Sequence, residues 1–94
     1  WIHAVSHDLV HWTELEPAFR EEQPGTGDQS GTCVIDYKNT SRLSPSAANP
    51  AMVAFYPRWD NHSQCIAYSL DHGRTWRHYQ GNPVLDHLCY DYLI

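Results

Sequence analysis

The sequence predicts an all-β protein of short antiparallel strands, and three observations support this fold class. Polar and apolar residues alternate with a period of two in residues 1–6 and 64–70, which is the pattern of a half-buried strand. Clusters of Gly, Pro, Asn and Ser separate such runs and predict turns or loops between strands. No segment shows the helical period of about 3.6 residues.

The predicted strands follow one another along the chain. The first strand, at the start of the chain, places Trp1, His3 and Val5 on one face of its sheet. The run AMVAFY is apolar almost throughout and predicts an inner strand that is covered on both faces. In chain order, the predicted strands are residues 1–6, 11–15, 30–37, 51–56 and 64–70, a return strand that begins at Trp76, and a short segment at residues 84–85.

Length and composition indicate one small domain or a piece of a larger one, because the chain has 94 residues, 41% of them apolar. A net charge of -5 and six thinly spread basic residues exclude a basic surface for nucleic acid or an anionic membrane. No apolar run approaches the roughly 20 residues of a membrane-spanning helix. The chain starts at Trp1 without a signal peptide and ends at Ile94 within a strand-like pattern, so we expect a fragment that is cut at both ends.

The cysteines do not form a recognisable metal-binding or redox motif. Cys33, Cys65 and Cys89 lie far apart, and an odd number leaves at least one thiol unpaired within the chain. Cys33 and Cys65 lie inside predicted strands, so we expect both to be buried free thiols. Val34 and Ile35, next to Cys33, are expected to be buried with it.

Three histidines recur every fourth residue near the start of the chain, at His3, His7 and His11. This spacing aligns metal ligands on one side of a helix. Because residues 1–6 are predicted to be a strand, the spacing does not bring the three rings together. The sequence therefore predicts no metal site, and it contains no motif for a cofactor.

An internal repeat links two predicted hairpins. AVSHDLVHW in residues 4–12 and AYSLDHGRTW in residues 67–76 share their Ala, Ser, Asp and Trp in the same order. Repeats of short strands at such a spacing are typical of stacked β-propeller blades. The second copy also resembles the Asp-box hairpin of β-propeller glycosidases, with an ordinary hairpin as the alternative. In both copies we expect the carboxylate, Asp8 or Asp71, to stabilise the turn and not to act in catalysis.

A more specific resemblance begins with residues 1–12, WIHAVSHDLVHW. They resemble the Trp-Gly-His-Ala-x-Ser-x-Asp-Leu-Val-His-Trp signature of invertases, levanases and inulinases, which form glycoside hydrolase family 32. The matches continue in the family's order almost to the end of the chain, with Ser30-Gly31, DYKNTS in residues 36–41, QCIAYSLDHGRTW in residues 64–76, and YQGNPVLD in residues 79–86. This resemblance implies a fragment of a five-bladed β-propeller. Residues 1–94 would supply roughly one to two blades of the N-terminal catalytic domain.

The resemblance also implies an activity. Family 32 enzymes hydrolyse terminal β-fructofuranosyl units of sucrose or fructans with retention, using a carboxylate nucleophile and an acid/base carboxyl. In the family's order, the nucleophile motif Asn-Asp-Pro-Asn-Gly precedes Trp1 and the acid/base motif Glu-Cys-Pro follows Ile94. We therefore expect residues 1–94 alone to be inactive. The implied partner is a sucrose or fructan substrate, with no nucleic acid and no membrane.

Four residues of the chain are candidates for the sugar site by this resemblance. Ser30 matches the Ser of the family's Phe-Ser-Gly motif, which touches the sugar, and Gln29 stands at the aromatic position before it. Asp91 aligns with the Asp of the family's Arg-Asp-Pro motif, which holds fructose hydroxyls as charge develops. Tyr90 replaces the Arg of that motif, and a Tyr hydroxyl bonds a sugar without the charge of a guanidinium. The alternative is that Asp91 is an ordinary loop carboxylate.

Two further function classes remain open from the sequence. The altered motif at Tyr90 and Asp91 also supports a non-catalytic, sugar-binding propeller related to invertases. An Asp-box sialidase requires an arginine cluster, which the scattered arginines do not form. Asn39-Thr40-Ser41 and Asn61-His62-Ser63 are N-glycosylation sequons and predict a secreted protein.

Overall fold

The structure is a computed structural model that describes residues 1–86, and it contains β-strands and no helix in that range. The prediction of an all-β fold is confirmed. No helix of membrane-spanning length and hydropathy is found between residues 1 and 86. The strands are β1 (His3–Ser6), β2 (Trp12–Leu15), β3 (Thr32–Ile35), β4 (Met52–Pro57), β5 (Gln64–Ser69) and β6 (Arg77–His78).

The strands form two antiparallel sheets. β1 and β2 make a two-stranded hairpin, and the other strands form a four-stranded sheet in the order β3-β4-β5-β6. The longest ladder joins β4 to β5, from Met52 opposite Ser69 to Pro57 opposite Gln64. Within each sheet, strands that are consecutive in the sequence are therefore neighbours in space, and the larger sheet has the four-stranded form of a propeller blade.

An aromatic cluster packs the segment after β2 onto the four-stranded sheet. It consists of Trp1, Phe19, Tyr56 and His78. The Phe19 ring lies 5.1 Å from the Trp1, Tyr56 and His78 rings, measured between centroids. Phe19 and Tyr56 are buried, together with Ala54, Cys65 and Ala67. Because Trp1 leads into β1 and Tyr56 lies in β4, this cluster connects the two sheets.

The predicted coverage of β4 on both faces is confirmed in part, because Ala54 and Tyr56 are buried on one face and Val53 on the other, whereas Phe55, on the Val53 face, is 39% exposed. Ala54 and Tyr56 face the aromatic cluster, whereas Val53 packs in a second cluster with Ala51 and Ile66. Alternate residues of one strand therefore enter two separate cores.

The expected burial of Cys33, Val34 and Ile35 is wrong. All three belong to β3, which is the edge strand of its sheet, and the Val34 and Ile35 residues are 48% and 41% exposed. Phe55, opposite Thr32, is also exposed. Alternation tells which side chains share a face, but it does not tell whether another element covers that face.

The prediction for Cys65 is confirmed within residues 1–86, where this residue is fully buried in the aromatic core and forms no disulfide. Burial raises the pKa of the Cys65 thiol, so the neutral form is favoured. Cys89 lies outside the described residues.

The β1–β2 turn is held by two side chains that bond backbone amides. The Ser6 hydroxyl accepts from the Leu9 amide at 2.8 Å, and Asp8 Oδ1 accepts from the His11 amide at 2.8 Å. Leu9 has a positive φ of 69°, and the Trp12 indole N–H donates to the Leu9 carbonyl at 3.1 Å. The His11 ring is the main cause of the lowered pKa of Asp8.

The β5–β6 turn repeats this arrangement. The Ser69 hydroxyl accepts from the Gly73 amide at 2.8 Å, and Asp71 Oδ1 accepts from the Thr75 amide at 2.8 Å. The Trp76 indole N–H donates to the Gly73 carbonyl, whose residue has a φ of 83°. The predicted turn roles of both aspartates are therefore confirmed.

Asp71 should make the stability of this hairpin depend on pH. The Thr75 hydroxyl and amide lower the pKa of Asp71, followed by the Ser69 hydroxyl. A carboxyl whose folded pKa is lowered stabilises the fold above its unfolded pKa of about 3.9, and this contribution is lost as the pH falls toward the folded value. Asp71→Asn is expected to lower Tm at pH 7 by on the order of 5 °C.

Thermal unfolding of wild type and Asp71→Asn between pH 3 and 7 checks this result. The difference in Tm should shrink as the pH falls below about 4. Glu16→Gln, which removes an exposed carboxylate next to β2, is the control and should leave Tm nearly unchanged at pH 7. A difference for Asp71→Asn that stays constant with pH would show that the charge is not what stabilises the turn.

Candidate functional site

The candidate sugar-binding segment, residues 29–31, enters β3 beside the end of β4. The Gln29 amide donates to the Pro57 carbonyl at 2.9 Å, and an isolated antiparallel bridge joins Asp28 to Arg58 just before it. Gln29 and Ser30 are exposed. The Gln29 side chain turns back and donates from Nε2 to the Gly27 carbonyl at 3.2 Å. The segment is thus attached to β4 while its Ser30 side chain stays accessible.

The start of the chain forms the other side of this segment. The Trp1 indole N–H donates to the Gln29 carbonyl at 2.9 Å. Trp1, Ile2 and Ser30 line a cavity of about 290 Å³. The fold therefore brings Ser30 next to residues that lie far from it in the sequence.

Position 31 requires a glycine because the backbone there lies very close to the backbone of β4. A Cβ at position 31 would overlap the Phe55 carbonyl oxygen and lie 3.0 Å from the Tyr56 Cα. The backbone of the segment can approach β4 this closely because Gly31 has no side chain. Sequence reasoning identified Gly31 as part of a motif but did not predict this contact.

Asp28, which sequence reasoning missed, places a half-buried carboxylate directly before the segment. Within residues 1–86, its Oδ2 atom is buried and has no hydrogen-bond donor. Burial raises the pKa of Asp28, and the nearby His78 opposes this shift. The Arg58 guanidinium is engaged by Asp60, with Nη2 2.7 Å from Oδ2. No local pattern predicts this carboxylate, because its burial comes from residues distant in the sequence.

The remaining sequence candidates are Tyr90 and Asp91 of the sugar site and the three spaced histidines. Tyr90 and Asp91 lie outside the described residues, so their roles stay predictions. Of the three spaced histidines, His11 pairs with Asp8 at 2.7 Å between Nδ1 and Oδ2, whereas His3 lies on β1 and His7 in the turn. In the part of the chain that the structure describes, no group of three or more His, Cys, Asp or Glu side chains is placed to hold a metal ion.

Comparison with known protein families gives one match that covers nearly the whole chain. The profile described as "Glycosyl hydrolases family 32 N-terminal domain" matches residues 1–92. An invertase of Schwanniomyces occidentalis is 44% identical over 90 residues, which are 92% of this chain and 17% of that protein. A levanase of Bacillus subtilis (strain 168) is 43% identical over 86 residues, 90% of this chain and 13% of that protein.

Solved structures show the same relationship in three dimensions. The chain is similar to the structure of a β-fructofuranosidase from Schwanniomyces occidentalis complexed with fructosyl-erythritol, with a TM-score of 0.82 and 44% identity. The match covers 92% of this chain and 18% of that one. This agreement confirms the predicted fold, a fragment of a β-propeller. The chain spans less than a fifth of the length of these relatives.

Proposed function

The chain belongs to glycosyl hydrolase family 32, and on this basis we propose that it is part of a longer enzyme that cleaves terminal β-fructofuranosyl units from sucrose or fructans. The observation that carries the proposal is the family match over residues 1–92, together with relatives named invertase and levanase at 44% and 43% identity. Part of a propeller offers sheet edges and loops but no complete pocket, so the active enzyme includes sequence beyond these residues.

Within the described residues, Ser30 is the side chain best placed to bind the sugar. It is exposed, it lines a cavity of about 290 Å³ with Trp1 and Ile2, and its backbone is attached to β4 through the neighbouring residues. A hydroxyl that both donates and accepts suits the hydroxyl groups of a fructosyl unit. Gln29 contributes its backbone to this arrangement, since its side-chain amide bonds the Gly27 carbonyl.

Two further residues enter the proposal through the order of the family's motifs. We assign Asp91 to the position that holds fructose hydroxyls while positive charge develops at the anomeric carbon, with the Tyr90 hydroxyl beside it. In a retaining reaction, a carboxylate nucleophile attacks the anomeric carbon while a second carboxyl group, the acid/base, protonates the leaving oxygen. The acid/base group, now deprotonated, then activates water. Both of these groups belong to motifs that residues 1–94 do not contain.

The test is fructose release from sucrose, inulin and levan by the full-length protein, by residues 1–94 alone, and by a Ser30→Ala variant of the full-length protein. We expect hydrolysis of at least one substrate by the full-length protein and none by residues 1–94. Ser30→Ala should lower kcat/KM by about 5-fold, the effect of one ordinary hydrogen bond to a neutral group. Thr13→Ala, which removes an exposed hydroxyl from β2, is the matched control and should have no effect.

A different outcome would support the second candidate function. Tyr90 stands where the family has Arg, and this substitution weakens a sugar clamp. If the full-length protein bound fructose or a fructan but released no fructose from any of the three substrates, it would be a non-catalytic sugar-binding relative of the invertases.

We also propose that the protein is secreted. The support is the pair of N-glycosylation sequons that begin at Asn39 and Asn61. Asn61 follows the exposed residues Trp59 and Asp60 in the β4–β5 connection, where an attached glycan would extend into solvent. Both side chains are hydrogen-bonded within their loops: the Asn39 amide donates to the Ser44 carbonyl at 2.8 Å, and Asn61 Oδ1 accepts from the Ser63 hydroxyl at 2.6 Å.

A further inference from the structure

We propose that Trp1 is a positioning residue for sugar binding, because its indole N–H holds the backbone that presents Ser30. This inference rests on the proposed function, in which Ser30 contacts the substrate. The Trp1 Nε1 atom lies 2.9 Å from the Gln29 carbonyl oxygen. That carbonyl and the Ser30 amide belong to one planar peptide group, so a bond to the carbonyl restrains the orientation of the Ser30 backbone.

The segment is held from two directions. On the β4 side, the Gln29 amide donates to the Pro57 carbonyl, and Gly31 lies against the Phe55 carbonyl. The bond from Trp1 comes from the chain that leads into β1, which belongs to the other sheet. The contacts to β4 restrain the segment from one side only, and the bond from the Trp1 indole restrains it from the other side.

The Trp1 ring is itself fixed by the aromatic cluster. It stacks on Phe19 with a centroid distance of 5.1 Å and meets Tyr56 edge-on at 6.2 Å. The Ala18 amide donates to the Trp1 carbonyl at 2.9 Å. A donor on an immobilised ring loses little conformational entropy when it bonds, so the N–H is pre-organised for the Gln29 carbonyl.

The indole N–H groups of Trp12 and Trp76, the two tryptophans of the repeat, bind within their own hairpins, and this provides a matched control. The Trp12 indole N–H donates to the Leu9 carbonyl, three residues earlier, and the Trp76 indole N–H donates to the Gly73 carbonyl, also three residues earlier. Both bonds close a turn within one hairpin. The Trp1 bond instead joins residues 28 positions apart. Trp12→Phe therefore removes the same chemical group as Trp1→Phe without touching residues 29–31.

The experiment compares the full-length wild type, Trp1→Phe and Trp12→Phe. Phe keeps an aromatic ring in the cluster and removes the indole N–H. With the substrate that the wild type cleaves, Trp1→Phe is expected to raise KM about 5-fold and to change kcat less than about twofold, since the segment binds sugar before and during the reaction. Trp12→Phe should leave KM unchanged. Equal KM values for the two variants would overturn the inference. So would a Trp1→Phe variant in which kcat falls together with Tm, because that result would indicate general destabilisation of the fold.

Hydrogen–deuterium exchange gives a readout that does not depend on activity. Peptides covering residues 29–31 should exchange about 5-fold faster in Trp1→Phe than in wild type, and at the wild-type rate in Trp12→Phe. Unchanged exchange in Trp1→Phe would overturn the positioning role even if the enzyme is active. Faster exchange in a protein that cleaves none of the three substrates would contradict the proposed function and leave the structural link intact.

Discussion

Gly31→Ala is expected to lower the free energy of unfolding by about 3 kcal/mol, because the new methyl group has no space. Its carbon would overlap the Phe55 carbonyl oxygen, and the next atom is the Phe55 carbonyl carbon at 2.8 Å. Both obstacles are backbone atoms of β4, which pairs with β3 on one side and β5 on the other. Relief would therefore require breaking ladder hydrogen bonds or moving the segment that carries Ser30.

Urea unfolding of the wild type and the variant measures this effect, with Gly25→Ala as the control. Gly25 has a φ of +87°, and no atom lies within 4 Å of the position of its Cβ. Alanine there meets only the left-handed backbone penalty, about 1 kcal/mol. If Gly31→Ala lowered the free energy of unfolding no more than Gly25→Ala does, residue 31 would not lie as close to β4 as the structure places it. In the full-length protein, Gly31→Ala should also raise KM, since Ser30 adjoins it.

Tyr56→Ala is expected to lower the free energy of unfolding by about 4 kcal/mol, since it removes a fully buried ring of the aromatic cluster. Tyr56 is 1% exposed, and its ring lies 5.1 Å from Phe19 and 5.9 Å from His78. The His78 Nε2 atom lies 2.6 Å from the Arg20 carbonyl, so it carries the proton. The Tyr56 hydroxyl is hydrogen-bonded to His78 Nδ1 at 2.6 Å, and this nitrogen also lies 3.4 Å from Glu22 Oε1. Burial raises the pKa of Tyr56, which keeps the hydroxyl a donor.

Tyr56→Phe separates the ring from the hydroxyl. It retains the packing and loses the bond to His78, so we expect a loss of about 1 kcal/mol. Tyr37→Ala is the control, because Tyr37 is 72% exposed and its removal should change stability by less than about 0.5 kcal/mol. Urea unfolding monitored by tryptophan fluorescence compares the three variants. A loss for Tyr56→Phe as large as that for Tyr56→Ala would mean that the hydrogen bond, and not the packing, holds the cluster.

Much of this protein was determined by its sequence alone, namely the features that depend on neighbouring residues. β1 and β5 follow from polarity that alternates over four to six residues, and β4 follows from a nearly continuous apolar run. The two hairpin turns follow from Ser-x-Asp, since Asp8 and Asp71 bond amides within a few positions of themselves. The family was identified from sequence motifs that occur in a fixed order, and this comparison needs no coordinates. Each of these signals depends either on neighbouring residues or on a comparison of sequences.

Only the tertiary structure decided which faces are covered and what meets at residues 29–31. Cys33 reads as a buried strand residue, yet it is exposed because β3 is an edge strand. Three features of this site depend on segments that are distant in the chain. They are the bond from Trp1 to Gln29, the contact of Gly31 with Phe55, and the burial of Asp28. Such contacts depend on how the sheets pack, and alternation within one strand contains no information about the partner of its outer face.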